Sequence, residues 1–115
     1  MGTLAYPEFI AMAGSLRLIN DRGVGCIWQH LQSLQQPLLD WAASRRDVTV
    51  ASATDPEHRS GIVCLRTRAV AACYDALTRA GVTCVLREGS IRLSPHFYNT
   101  SEEIAAVLEL LERHA

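Results

Sequence analysis

The stretch Ile91-Arg-Leu-Ser-Pro-His-Phe-Tyr-Asn-Thr100, continued by Ser101-Glu-Glu-Ile104, decides the fold. Its start predicts a short strand, and Thr100 followed three positions later by Glu103 is the sequence signature of a capping box at a helix start. Arg92 would therefore be aimed by a strand rather than by a mobile loop. An arginine held in this way suits bidentate pairing with a carboxylate. The alternative interpretation is a surface arginine on an edge strand.

Two helices are predicted upstream of this stretch. Apolar residues recur at helical spacing from about Pro7 to Arg22, and Gly23 offers a left-handed stop. A second amphipathic pattern runs from Val24 to about Ser44. Since a proline inside a helix removes one hydrogen bond, Pro37 predicts a kink or break near Gln35.

The remaining pattern predicts a small sheet with one crossover helix and a tight hairpin. We expect an α+β fold: a two-layer sandwich of a small, mostly antiparallel sheet with helices packed on one face. Residues 1–115 would form a single domain, with 1–45 as a helical lead-in and 46–115 as the α+β core. The predicted segments are a short β-branched run at Asp47–Val50, an exposed loop at Ala51–Ser60, a strand at Gly61–Arg66 with little solvent contact on either face, a helix from Val70 to Gly81, hairpin strands Val82–Arg87 and Ser90–Leu93, and the last helix after Thr100.

The composition excludes several classes of protein. With 49% hydrophobic and 20% charged residues, the chain has the balance of a globular domain. A net charge of -1, with arginines scattered among acidic residues, argues against a nucleic-acid binder. No apolar run approaches the roughly 20 residues needed to span a bilayer, and the first residues lack the layout of a signal peptide. We expect a cytoplasmic protein without a membrane partner.

Cysteines and histidines are dispersed. The sequence contains no C-x-x-C pair, and each of the four cysteines lies in an apolar stretch, so we expect all four to pack as small hydrophobic residues. No histidine lies at a ligand-like offset from a cysteine, so no metal site is expected. The cysteines are Cys26, Cys64, Cys73 and Cys84.

The turn before the last helix carries mainly structural residues. Phe97 and Tyr98 are predicted to wedge under the turn, and Asn99 to satisfy its backbone. His96 would matter most in an active-site loop, although a solvated or capping histidine is the commoner case.

Taken together, these motifs resemble the C-terminal small domain of the class V aminotransferases, which are fold-type I pyridoxal-phosphate enzymes. The resemblance is carried by Ile91 to Ile104, by Arg59-Ser-Gly-Ile-Val63, and by Gly2-Thr3 followed by Pro7. It implies that Arg92 binds the substrate carboxylate and that Thr3 reaches the cofactor phosphate of the neighbouring subunit in a homodimer. The short connection between the last two strands resembles the isopenicillin-N-epimerase-like and general aminotransferase branch. A cysteine desulfurase would carry a catalytic cysteine on a longer loop there, whereas Cys84 lies within a predicted strand.

One departure limits what the resemblance implies. All 11 basic residues are arginine, so the lysine to which pyridoxal phosphate is covalently attached is missing. We therefore expect no catalytic residue and no bound cofactor in this chain alone. Met1 stands directly before Gly2-Thr3, which we interpret as the start of an excised or truncated piece whose partner is a large N-terminal cofactor-binding domain.

Two functions follow from these expectations. The first is the C-terminal domain of a pyridoxal-phosphate-dependent enzyme acting on an amino acid, inactive alone, with Arg92 as the carboxylate clamp. The second is a stand-alone α+β module that binds a ligand or partner without catalysis. In either case the apolar faces of the first two helices favour self-association.

Overall fold

A computed structural model describes residues 5–115. Across that range, four helices and four strands follow one another along the chain. Their bounds are α1 Tyr6–Arg22, α2 Val24–Ala43, β1 Val48–Val50, β2 Val63–Thr67, α3 Val70–Arg79, β3 Val85–Arg87, β4 Ser90–Leu93 and α4 Ser101–His114.

The strands form one antiparallel sheet in the order β1-β2-β4-β3. Helix α3 carries the chain from β2 to the edge strand β3, and a two-residue turn at Glu88-Gly89 returns it to β4. Both turn residues have positive φ, 52° and 70°, which is the geometry of a type I′ hairpin turn. This hairpin inserts β4 between β2 and β3, so Arg92 lies on an inner strand and not on an edge.

The core lies between one face of this sheet and the helices α2, α3 and α4. Alternation along the strands sends Val63, Leu65, Ile91 and Leu93 into it, while Cys64 and Arg92 face the other way. The helices contribute fully buried leucines: Leu38, Leu77 and Leu111. The two-layer α+β prediction is confirmed, with helices on one face of an antiparallel sheet.

The sequence predicted a kink or a break near Gln35, and helix α2 has no break there. It runs without interruption through Pro37, which is exposed. Leucines on both sides of the proline are buried in the core, among them Leu34, Leu38 and Leu39. This burial holds the helix together across the missing hydrogen bond.

Strand β2 was expected to have little solvent contact on either face, but only one of its faces is buried. Val63, Leu65 and Thr67 are buried, whereas Arg66 is exposed. The expected core packing of the cysteines is confirmed for Cys73 and for Cys84, which packs against the core, and it is wrong for Cys26. Only Cys73 is fully buried; Cys64 and Cys84 are half-buried and Cys26 is exposed.

Helix α1 packs against α2 and contributes no buried residue. Gly23, with φ of 81°, separates the two helices where the sequence predicted a stop. Large apolar side chains of α1 stay half or more exposed, including Phe9, Ile10 and Met12. No helix of residues 5–115 is long and apolar enough to cross a membrane.

Candidate functional site

Among residues 5–115, the face of the sheet opposite the core carries no helix; this helix-free face presents Arg92. Its strand partners across the ladder are Cys64 on β2 and Val85 on β3, so the three side chains share this face. Arg92 is half-buried, while its chain neighbours Ile91 and Leu93 are buried in the core. The strand therefore fixes the base of the Arg92 side chain through packing on the opposite face.

The Arg92 guanidinium has no carboxylate partner within the part of the chain that the structure describes. The ion pairs found there involve Arg45, Arg87, Arg113 and His58 instead. Side-chain hydrogen bonds from arginine are likewise made by other residues. Among the described residues, the donors of Arg92 are therefore not engaged by a carboxylate.

A groove of about 810 Å³ opens beside Arg92. It lies where the chain leading into β3 and the chain leaving β4 separate, next to the start of α4. Strand β4 ends at Leu93, and Pro95, two residues later, has no N–H with which to extend the ladder. Leu93, Ile104 and Val107 line its apolar part, and Arg92 and Glu103 supply charges.

Asn99 organises the turn that borders this groove. Its side-chain oxygen accepts the His96 backbone N–H at 2.8 Å, and its amide nitrogen donates to Glu103 Oε2 at 3.0 Å. Its carbonyl oxygen lies 2.9 Å from His30 Nε2, which ties the turn to α2. The predicted role of Asn99 in satisfying the turn backbone is confirmed.

The capping box at the start of α4 is also confirmed. Thr100 Oγ1 accepts from the Glu103 N–H at 3.3 Å, and Glu103 Oε2 accepts from the Thr100 N–H at 3.0 Å. Hydrogen bonds from the Asn99 side chain and then from the Thr100 backbone lower the pKa of Glu103. Glu103 is thus held as a carboxylate that already has its donors, and it anchors the rim of the groove.

One of the two aromatic residues of the turn departs from the prediction. Tyr98 is 73% exposed and is no wedge, whereas Phe97 is half-buried. His96 packs against both rings, with centroids 4.8 Å from Phe97 and 5.4 Å from Tyr98. Within the described residues its buried Nδ1 has no hydrogen-bond partner.

The structure places the predicted site residues as follows. Arg92 lies on an inner strand and borders the groove. Thr3, predicted to contact a cofactor phosphate, lies outside the described residues. Among residues 5–115 there is no group of three or more histidine, cysteine, aspartate or glutamate side chains that could hold a metal ion. Cys64 was not predicted as a neighbour of Arg92, because strand register depends on pairings that are distant in sequence.

Residues 28–111 match the model of a family described as the kynureninase C-terminal domain. The chain is also 32% identical over 108 residues to a Bacillus subtilis (strain 168) protein named uncharacterized aminotransferase YcbU, and the alignment covers 94% of this chain. It covers only 29% of that relative, so the chain spans less than a third of the relative's length.

Proposed function

The chain belongs to the kynureninase C-terminal domain family, and we propose that it is the C-terminal domain of a pyridoxal-phosphate-dependent, class V aminotransferase-like enzyme that acts on an amino acid. The observation that carries the proposal is the half-buried Arg92, which borders a groove and has no internal counter-charge among the described residues.

Arg92 would bind the α-carboxylate of the substrate. A guanidinium offers two parallel N–H donors that match the two oxygens of a carboxylate, so it fixes orientation as well as position. Partial burial strengthens the pair, since fewer water molecules compete for the same donors. With its carboxylate held at the sheet face, the substrate would present its α-carbon outward, toward a neighbouring domain.

The residues of this chain do not fit the cofactor by themselves. Pyridoxal phosphate acts as an electron sink for amino-acid substrates and is held through a lysine, and this sequence contains no lysine. We therefore assign the cofactor to a large N-terminal domain of the complete enzyme. The threefold greater length of the aminotransferase relative supports that assignment.

The complete enzyme would be a homodimer in which Thr3 contacts the cofactor phosphate of the neighbouring subunit. The exposed apolar residues of α1 supply surface for packing against other parts of the enzyme. The cytoplasmic location expected from the sequence stays a prediction.

A cofactor-binding experiment tests the division between domains. The 115-residue chain mixed with pyridoxal phosphate should show no protein-bound absorption band and no activity with amino acids. The same chain joined to the domain encoded upstream of it should show both. If no lysine-bearing domain is encoded upstream, the stand-alone binding module becomes the better interpretation.

Kinetics of the complete enzyme test the clamp. Arg92→Ala should raise KM for the amino acid steeply, because removing one partner of a buried charged pair loses on the order of 2 to 5 kcal/mol of binding free energy. Arg79→Ala, on the exposed surface of α3, is the matched control and should leave KM unchanged. An unchanged KM in Arg92→Ala would remove the clamp assignment.

A further inference from the structure

Three arginines share the helix-free face of the sheet. The register pairs Arg87 with Ser90 across β3 and β4. Because Cys64 pairs with Arg92 and Leu65 with Ile91, Arg66 falls opposite Ser90 on the other side. Arg66, Ser90 and Arg87 therefore form one row across three strands, and Arg92 lies two residues further along β4 on the same face. We call Arg66, Arg87 and Arg92 the arginine face.

The arginine face has little negative charge of its own. The other strand residues on this side are Thr49, Cys64, Val85 and Ser90, none of them acidic. Glu88, in the hairpin turn, is the nearby acid. Its carboxylate lies 3.4 Å from Arg87 Nε in a pair with side chains 67% and 82% exposed, and such exposed pairs contribute little.

Arg66 likewise makes only a weak contact with the residues that the structure describes. Its Nη2 lies 3.5 Å from the Glu88 carbonyl oxygen, at the limit of a hydrogen bond. Ser90, between the two arginines, is only 5% exposed and lies at the floor of the row. Two exposed guanidiniums thus flank a small buried hydroxyl residue, next to the arginine assigned to the α-carboxylate.

From this juxtaposition we infer that the substrate is a dicarboxylic amino acid. Arg92 binds its α-carboxylate, as in the function proposed above on which this inference rests, and Arg66 with Arg87 binds the second carboxylate. Residues two apart on a strand are separated by about 7 Å, and flexible arginine side chains can adjust that spacing to a short dicarboxylate. A guanidinium pair is suited to this task because each offers planar donors matched to carboxylate oxygens.

The test compares succinate with butyrate, which have the same number of carbons and differ in the second carboxylate. Each is titrated into the 115-residue chain at low ionic strength, with the arginine Nε–H signals followed by two-dimensional NMR. Succinate should bind about three- to tenfold more tightly than butyrate, and the preference should shrink as salt is added. The signals of Arg66 and Arg87 should shift with succinate alone.

Variants separate the two parts of the site. Arg66→Gln/Arg87→Gln should reduce succinate binding to the level of butyrate and leave butyrate binding unchanged. Arg79→Gln/Arg113→Gln removes the same charge from exposed positions on α3 and α4, and it should preserve the preference. Backbone spectra of each variant show whether the fold is kept.

The outcomes distinguish this inference from the proposed function. If Arg92→Gln leaves butyrate binding intact, the carboxylate clamp itself is wrong. If butyrate binds through Arg92 but succinate binds no more tightly, only the second carboxylate site is overturned. Equal loss of succinate preference in the control variant would likewise overturn it, because general charge would then explain the effect.

Discussion

Arg45 donates two hydrogen bonds to the carboxylate of Asp47, from Nε to Oδ1 and from Nη2 to Oδ2, both at 3.2 Å. The same guanidinium donates from Nη1 to Glu112 at 2.9 Å and lies 5.5 Å from the centre of the Trp41 ring. The Trp41 indole N–H also donates to Glu112. This cluster joins the end of α2, the start of β1 and the last turn of α4 at the edge of the core.

The cluster predicts a loss of stability in acid. The hydrogen bond from Arg45 lowers the pKa of Asp47, and the bond from Trp41, followed by that from Arg45, lowers the pKa of Glu112. Both carboxylates therefore stabilise the fold above their ordinary pKa values of 3.8 and 4.5, and this contribution disappears as pH falls through the lower folded values. Asp47→Asn should lower stability at pH 7 and weaken its dependence on pH in this acid range.

Urea unfolding at a series of pH values measures this effect. Asp21→Asn, an exposed position on α1, serves as the control and should follow the parent chain. A pH dependence in Asp47→Asn as steep as in the parent would show that the Arg45 contacts contribute nothing.

A second prediction concerns Pro37, which lowers the stability of the helix that contains it. Pro37→Ala restores the N–H that would donate to the Ser33 carbonyl and removes the clash of the ring with that turn. The gain is reduced because a chain without the proline has more freedom when unfolded. We expect a net stabilisation of about 1 to 2 kcal/mol in urea unfolding.

Gln29→Ala, at an exposed position of the same helix, is the comparison. Its free energy of unfolding should change by about 0.4 kcal/mol at most. Lower stability in Pro37→Ala would mean that the local backbone of α2 is adapted to the proline ring.

Some features of the fold were predictable from the sequence, whereas the unbroken course of α2 through Pro37 was not. Local signals were sufficient for the stop at Gly23, the turn at Glu88-Gly89 and the capping box at Thr100, because each depends on a few adjacent residues. The continuity of α2 depends on core contacts with distant strands, which outweigh the local effect of proline.

The same distinction applies to the candidate site. The sequence identified Arg92 as a residue on a strand, but its neighbours are set by the register of β2 and β3 against β4. Arg66 belonged to a strand predicted to be covered on both faces, because the run Gly61–Leu65 is apolar. Its position on an open face follows only from the helices packing on one side of the sheet. Cys26 was likewise expected inside, and lies exposed on α2.

The hairpin turn gives a third prediction. Glu88 has φ of 52°, a left-handed conformation that a side chain with a Cβ adopts at a cost. Asparagine tolerates this region better and is favoured at this position of a type I′ turn. Glu88→Asn should therefore stabilise the fold by about 0.5 to 1 kcal/mol, since the Arg87 pair that it removes is exposed and weak.

Gly89→Ala is the opposing variant. Its φ of 70° is equally left-handed, although an added Cβ would meet nothing within 4 Å. A loss of about 1 kcal/mol would then come from backbone strain alone. Thermal and urea unfolding should show a gain of stability in Glu88→Asn and a loss in Gly89→Ala. A loss of stability in Glu88→Asn would contradict the type I′ assignment.

The capping box gives the last prediction, at the start of the helix that borders the groove. Thr100→Ala removes the acceptor for the Glu103 N–H, and N-cap substitutions of this kind cost about 1 kcal/mol. Ser101→Ala is the matched control: it is the next residue, is also exposed, and does not accept that hydrogen bond. Urea unfolding should show the loss in Thr100→Ala and a far smaller change in Ser101→Ala. Equal losses in the two variants would mean that the helix start is held by Asn99 and Glu103 rather than by the Thr100 side chain.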